Sequence, residues 1–157
     1  MLDTDRLLEL AIATARQSPS RPRKVGAVLV LADGTTTLAA CNDFPTGVRD
    51  LEARHAHPER LLWIEHAERN AIFAAARRGL PTLGATLIAT FHPCADCARA
   101  IVQAGIATLV TLPPDLADPL WGTAFGCSRA VLGEGGVQVV YLDRDPALMH
   151  ALTLGSA

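Results

Sequence analysis

Apolar positions recur along the chain in two rhythms, and these place most of the secondary structure. Over residues 3–17, Leu7, Leu8, Ala11, Ile12 and Ala15 share one face at helical spacing, and Ser18-Pro19-Ser20-Arg21-Pro22 ends the segment. Val25–Leu31 is a short apolar run, Asp33-Gly34 carries turn chemistry and Thr36–Cys41 returns, so the three predict a β-hairpin. Between 43 and 64 the periodicity dissolves among Pro45, Gly47, Pro58 and several charges. This predicts a long connection, and ordered loops of that length usually serve a function. From His66 to Arg78, Ala67, Ala71, Ile72, Ala74 and Ala75 predict a helix, closed by Gly79 and Pro81. A strand over Ala85–Thr90, a helix over Ala95–Ala104 and a strand over Ala107–Leu112 follow. After Pro113, Pro114 and Pro119, a helix over Trp121–Leu132 leads to a last strand over Val137–Leu142. The 24 residues between Leu112 and Val137 are enough for a helical crossover, so those two strands are expected to run parallel. Together the elements predict an α/β fold: a three-layer α/β/α arrangement around a five-stranded mixed sheet.

At 157 residues the chain is expected to form one domain over 1–157, with no internal repeat or low-complexity tract. Fourteen Lys and Arg against sixteen Asp and Glu give a net charge of −2, without the basic block that tracks a polynucleotide. Four Phe, two Trp and one Tyr are also few for a single-strand stacking surface. Both counts argue against a nucleic-acid strand as partner. The N-terminal segment has acids in its first turn and no long apolar run, so neither a signal peptide nor a membrane span is expected and a cytoplasmic location is. Four cysteines without an export signal then point to free thiols or metal ligation.

The chemistry concentrates in His66-Ala67-Glu68 and Pro93-Cys94-Ala95-Asp96-Cys97, each where a predicted helix begins. Unpaired N–H groups at a helix start carry partial positive charge, which favours the thiolates that bind metal. Cys94, Cys97 and one His make three protein ligands, the set expected for a zinc that keeps an open position for water. Such a zinc lowers the pKa of its water to about 7 and then needs a proton carrier, a task open to Glu68. A structural site with His92 as fourth ligand is the alternative, but it leaves Glu68 without a task. His55, His57 and His92 could hold a second metal; without a cysteine pair they read as solvated loop histidines. Cys41 and Cys127 read as packing cysteines, and Asp96 as a helix cap. Trp63 and Trp121 read as core residues or as walls of a base pocket, and Gly133-Glu134-Gly135-Gly136 as a turn.

The order His-x-Glu followed by Pro-Cys-x-x-Cys is that of the zinc nucleobase deaminases. The chain resembles the cytidine and deoxycytidylate deaminase superfamily through His66-Ala67-Glu68-Arg69-Asn70-Ala71-Ile72, twenty intervening residues, Pro93-Cys94-Ala95-Asp96-Cys97 and Ile101. The resemblance extends from about residue 5 to 142 and implies the cytidine-deaminase-like fold, one catalytic Zn2+ per chain on His66, Cys94 and Cys97, and Glu68 as proton shuttle. It also implies that the Ala67 N–H faces the exocyclic oxygen of the pyrimidine. Three features are similar to the deoxycytidylate branch: Asn70-Ala71-Ile72, the loop Cys41-Asn42-Asp43-Phe44-Pro45-Thr46-Gly47, and the long stretch from Asn42 to His66. In that branch the Asn contacts the sugar and the loop approaches the phosphate, which makes Asn42 and Phe44 candidate substrate contacts. No basic residue lies within Phe44–Gly47, so Arg49 and Arg54 are the nearest candidates for a phosphate, with Trp121 for the base. The implied partner is a cytosine-type nucleotide, with a free base or nucleoside as second choice, and the implied assembly a homo-oligomer. An inactive nucleotide-sensing zinc module and a nucleic-acid-editing deaminase are the remaining alternatives.

Overall fold

A computed structural model describes residues 2–155. Helix α1 (Thr4–Ala15) starts at Asp3, whose carboxylate accepts the Arg6 N–H at 3.1 Å. Strands β1 (Gly26–Val30) and β2 (Thr37–Cys41) form the expected hairpin. The connection from 43 to 64 holds only a single 3-10 turn at Glu52–Arg54 and one short helix, α2 (Arg60–Trp63). Helix α3 (Ala67–Arg77), strand β3 (Thr86–Ala89), helix α4 (Ala95–Gln103), strand β4 (Thr108–Thr111), helix α5 (Gly122–Glu134) and strand β5 (Gln138–Tyr141) follow. A last helix, α6 (Pro146–Leu154), lies beyond the elements expected from the sequence. Its signal is Asp145-Pro146: the Asp145 carboxylate caps the Ala147 N–H at 2.8 Å, and proline occupies the first turn.

The sheet order is β2-β1-β3-β4-β5. β1 is antiparallel to both its neighbours, and β3, β4 and β5 are parallel, with β4 and β5 related as the crossover length between them required. Because successive side chains of a strand face opposite ways, the sheet feeds two cores. Ala27, Leu29, Leu87, Ala89 and Leu109 pack with Ala67, Ala71, Ala75, Ala98, Ile101 and Leu132 beneath α3, α4 and α5. Val28, Val30, Ile88 and Val110 pack with Leu8, Ala11 and Met149 under α1 and α6. The three-layer α/β/α arrangement with a five-stranded mixed sheet is therefore present. No helix among the described residues is long and apolar enough to cross a membrane.

The topology gathers several chain segments at one end of the sheet. β2 and β3 finish where β1 begins, and Thr90 closes that end, its N–H donating to the Gly26 carbonyl at 3.0 Å and its hydroxyl accepting the Gly26 N–H at 3.1 Å. Residues 20–25, 42 and 90–94 are neighbours there for that reason.

Several local expectations change. Cys127 is exposed on α5, since its position on that helix faces away from both cores. Asp96 does not cap α4: the helix starts at Cys94 without a side-chain cap, and the Asp96 carboxylate bonds Arg99 one turn on. Gly133 and Glu134 belong to α5, and the turn begins at Gly135.

Two outcomes follow from these contacts. A Cβ on Gly26 would stand 1.9 Å from the Ala11 carbonyl oxygen, so α1 lies flush on β1 only because that side chain is missing. Gly26→Ala is expected to cost about 3 kcal/mol or more in denaturant unfolding, as overpacking against a backbone that cannot yield. At the hairpin, Asp33 accepts from the Thr36 hydroxyl and from the N–H groups of Thr35 and Thr36, which hold its carboxyl down to about 2. A depressed carboxyl stabilises the fold above its unfolded value, and that contribution is lost as pH falls through the folded one. Asp33→Ala is therefore expected to lower Tm at pH 7, with the gap to the parent closing as pH falls from 3.8 toward about 2.

Candidate metal centre and active site

Helices α3 and α4 begin side by side, at His66 and Cys94. His66 Nδ1 lies 3.4 Å from Cys94 Sγ and 3.4 Å from Cys97 Sγ, and the three donor atoms all fall within 4.8 Å of one another. Zinc ligands at the usual 2.0–2.3 Å stand about 3.5 Å apart along the edge of a tetrahedron, so the spacing fits that ion. Both cysteines are buried, Cys97 completely. A hydrogen bond from Cys97 lowers the Cys94 thiol to about 4 against the effect of burial, with His66 assisting. The bond to Cys94 and burial together push the Cys97 thiol well up. Burial alone would lower the His66 imidazole, but the Cys94 sulfur and the Glu68 carboxylate outweigh it and raise it. Two buried sulfurs this close resist sharing a second negative charge, and a divalent cation is the group that lets both ionise. The donor set, its spacing and its burial form a zinc site.

Neighbouring contacts brace the ligands. The Glu65 carboxylate accepts the His66 N–H at 2.9 Å and the Arg69 Nε–H at 2.7 Å. Asn70 donates to the Cys41 carbonyl at 2.9 Å, which ties the first turn of α3 to the end of β2. Glu68, 3% exposed, is on the first turn of α3, and burial raises its carboxyl.

A cavity of about 260 Å³ opens onto this group, with His66, Glu68 and Cys94 in its wall. Its apolar lining includes Phe91, Phe125, Ile64 and Trp121, whose indole meets the His66 ring edge-on at 5.8 Å. Of the predicted substrate contacts, Asn42 and Trp121 line the cavity, and Ala67 is fully buried at the start of α3. Phe44 and Arg49 are not among the lining residues. Phe44 is buried against the His55 ring, and the Arg49 carbonyl accepts from Arg54, whose guanidinium stacks on Trp63 at 3.7 Å. The cations that line the cavity are Arg23 and Arg60, with Ser20 and Asp118 nearby in its wall. Sequence patterning overlooked them; the available signal was the basic Arg21-Pro22-Arg23-Lys24 run directly before β1.

Among the described residues no second cluster forms a metal site. His55 is not solvated: its side chain is 7% exposed, packed on Phe44 and paired with Asp50. His57 is exposed. His92 stays out of the ligand group, turned to the Ser128 hydroxyl at 3.2 Å and against Phe125. Burial holds it down to about 4.

Comparison with known proteins bears on this geometry. The family described as the cytidine and deoxycytidylate deaminase zinc-binding region matches residues 1–112. The deoxycytidylate deaminase of Enterobacteria phage T2 is 49% identical over 74 residues, 45% of this chain and 39% of that protein. The T4 alignment covers 31% of its relative, so the chain aligns with less than half the length of either phage protein. An uncharacterized deaminase of Aliivibrio fischeri, from the luxG 3′ region, is 30% identical over 142 residues, 89% of this chain and 93% of that protein. The apo crystal structure of the dCMP deaminase from cyanophage S-TIM5 superposes with a TM-score of 0.68 at 25% identity, covering 88% of this chain and 96% of the phage chain. Its complex with dCMP and dUMP superposes at 0.69 with 24% identity, covering 90% and 99%. With the family match spanning most of its length and the three zinc donors in place, the chain belongs to the cytidine and deoxycytidylate deaminase zinc-binding family.

Proposed function

We propose that this protein is a zinc-dependent hydrolytic deaminase of a cytosine-type nucleotide resembling dCMP, working as a homo-oligomer and releasing ammonia. The observation that carries the proposal is a buried carboxylate, Glu68, sharing one cavity wall with the metal ligands His66 and Cys94. The cavity, at about 260 Å³, is close to the lower end of small-molecule sites, about 300–1,000 Å³, and suits one nucleotide or base better than a strand.

A zinc held by His66, Cys94 and Cys97 supplies Lewis acidity, by which such sites make hydroxide available at neutral pH. Glu68 takes the proton of the attacking water and delivers it to ring nitrogen N3 as the C4–O bond forms. It then carries the second proton to the exocyclic amine, the C4–N bond breaks, and ammonia leaves. Burial suits Glu68 to this task, since a carboxyl raised toward neutrality can both accept and return a proton. The Ala67 N–H, in the first turn of α3 where no intrahelical acceptor exists, holds the exocyclic oxygen. In this reading Trp121 and Phe91 flank the base, and a 5′-phosphate is met by Arg23 and Arg60, which line the same cavity. Support for a nucleotide comes from the cyanophage protein of the same fold, which was solved with dCMP and dUMP.

Purified protein is expected to carry about one zinc per chain, and Cys94→Ala to lose it in metal analysis. Full zinc retention by that variant would show the ligand set to be different. Glu68→Ala is expected to keep the metal and lose about 10²–10⁴-fold or more in ammonia release, and unchanged turnover would remove it from the proton transfers. Arg23→Ala is expected to raise KM for a 5′-monophosphate about tenfold or more, while KM for the matching nucleoside stays put. Equal turnover of nucleoside and nucleotide by the parent protein would assign the site to the unphosphorylated substrate.

A further inference from the structure

Asn42 stands at the end of β2, 8% exposed, in the cavity wall. Its side-chain amide is engaged by the protein's own backbone: Oδ1 accepts the Val25 N–H at 2.8 Å, and Nδ2 donates to the Arg23 carbonyl at 3.0 Å. A backbone N–H only donates and a carbonyl only accepts, so these partners fix which way the amide faces. The main chain of the same residue is bonded as well. Its N–H donates to the Val25 carbonyl at 3.1 Å, and its carbonyl accepts the Ser18 hydroxyl at 2.6 Å. That hydroxyl in turn accepts the Ser20 N–H at 3.1 Å.

The segment gripped in this way has no regular secondary structure and contains two prolines, Pro19 and Pro22, which lack N–H groups for bonds of their own. It nevertheless supplies Ser20, Pro22, Arg23 and Val25 to the cavity. From the clamped backbone the Arg23 guanidinium extends over the Phe91 ring at 5.1 Å, 3.7 Å from the Asp118 carboxylate, which also lines the cavity.

We infer that Asn42 is a positioning residue: by clamping the Arg23–Val25 backbone, it holds the 18–25 segment as the wall that presents Arg23 to the substrate. The inference rests on the cavity being the substrate site. It is a different role from a direct contact between Asn42 and the sugar, for which one Nδ2 hydrogen and one Oδ1 lone pair remain beyond the bonds to Arg23 and Val25, and a substrate lacking the sugar hydroxyl separates the two. Ser18 belongs to the same device, although it does not line the cavity.

The test compares Asn42→Ala and Ser18→Ala with the parent protein, using dCMP and its analogue without the 3′-hydroxyl. Removing the partner of these half-buried backbone groups is expected to raise KM about tenfold for both substrates in Asn42→Ala, with kcat within about twofold. Ser18→Ala is expected to shift KM in the same direction. Hydrogen–deuterium exchange at the amides of Ser20, Arg21, Arg23, Lys24 and Val25 is expected to quicken in both variants while β3 and β4 stay protected. A KM penalty that vanishes on the analogue would mean that Asn42 touches the sugar, and unchanged exchange in both variants would overturn the clamp. If the parent protein turns over no nucleotide, the proposed function fails, and the exchange comparison alone decides the inference.

Discussion

Everything about this molecule turns on packing two thiols, an imidazole and a carboxylate into one buried place. Groups of this kind repel or compete for protons when water is taken away, and interiors accept them only with compensation. The compensation is architectural. Helices α3 and α4 start beside each other and offer their unpaired N–H ends to the cluster, while Glu65, Arg69 and Asn70 fix the His66 turn from behind. A cation between the donors completes the balance. The small residues Ala67, Ala71, Ala75 and Ala98 then acquire a purpose, since they let two helices approach the sheet closely enough for their first turns to meet.

Much of this was legible in the sequence, for a physical reason. The ligands sit within two short stretches whose spacing is set by local helix geometry, so His66, Glu68, Cys94 and Cys97 could be read without knowing the fold. Strands β1, β3 and β4, buried on both faces, appear as continuous apolar runs, and the crossover length between β4 and β5 indicated that this pair is parallel. What stayed hidden depends on long-range neighbours. Arg23 reaches the cavity only because β1 begins where β2 and β3 end, and no local pattern announces that. Arg49 and Phe44 lie near Asn42 in sequence, yet the chain turns them away, with Phe44 going under His55. Helix α6 was missed because its cap and proline form a brief signal after the last strand, with few residues left to show a period.

Net charge says little about the character of the cavity, because electrostatics here are local. A chain carrying −2 overall places two arginines on one cavity and sets Asp118 opposite one of them. At 3.7 Å this pair is looser than a hydrogen-bonded one. The connection from 43 to 64, shapeless by periodicity, is ordered by contacts of another kind: Arg21 gripping Glu52 at 2.5 and 2.7 Å, Arg54 over Trp63, and His55 between Phe44 and Asp50. It delivers Arg60, Leu61 and Ile64 to the cavity.

The double use of β1 bears on how such a chain can change its length over time. Ala27 and Leu29 serve one core, Val28 and Val30 the other, and Val25 just before them meets Asn42. Losing or gaining one residue inside this strand would exchange the contents of both cores and move Val25 out of step with the amide that grips it. A change of length is absorbed more readily in exposed loops such as the Asp33-Gly34 turn and the surface of the 43–64 connection. In physical terms, β1 acts as a ruler against which both cores and the cavity wall are set.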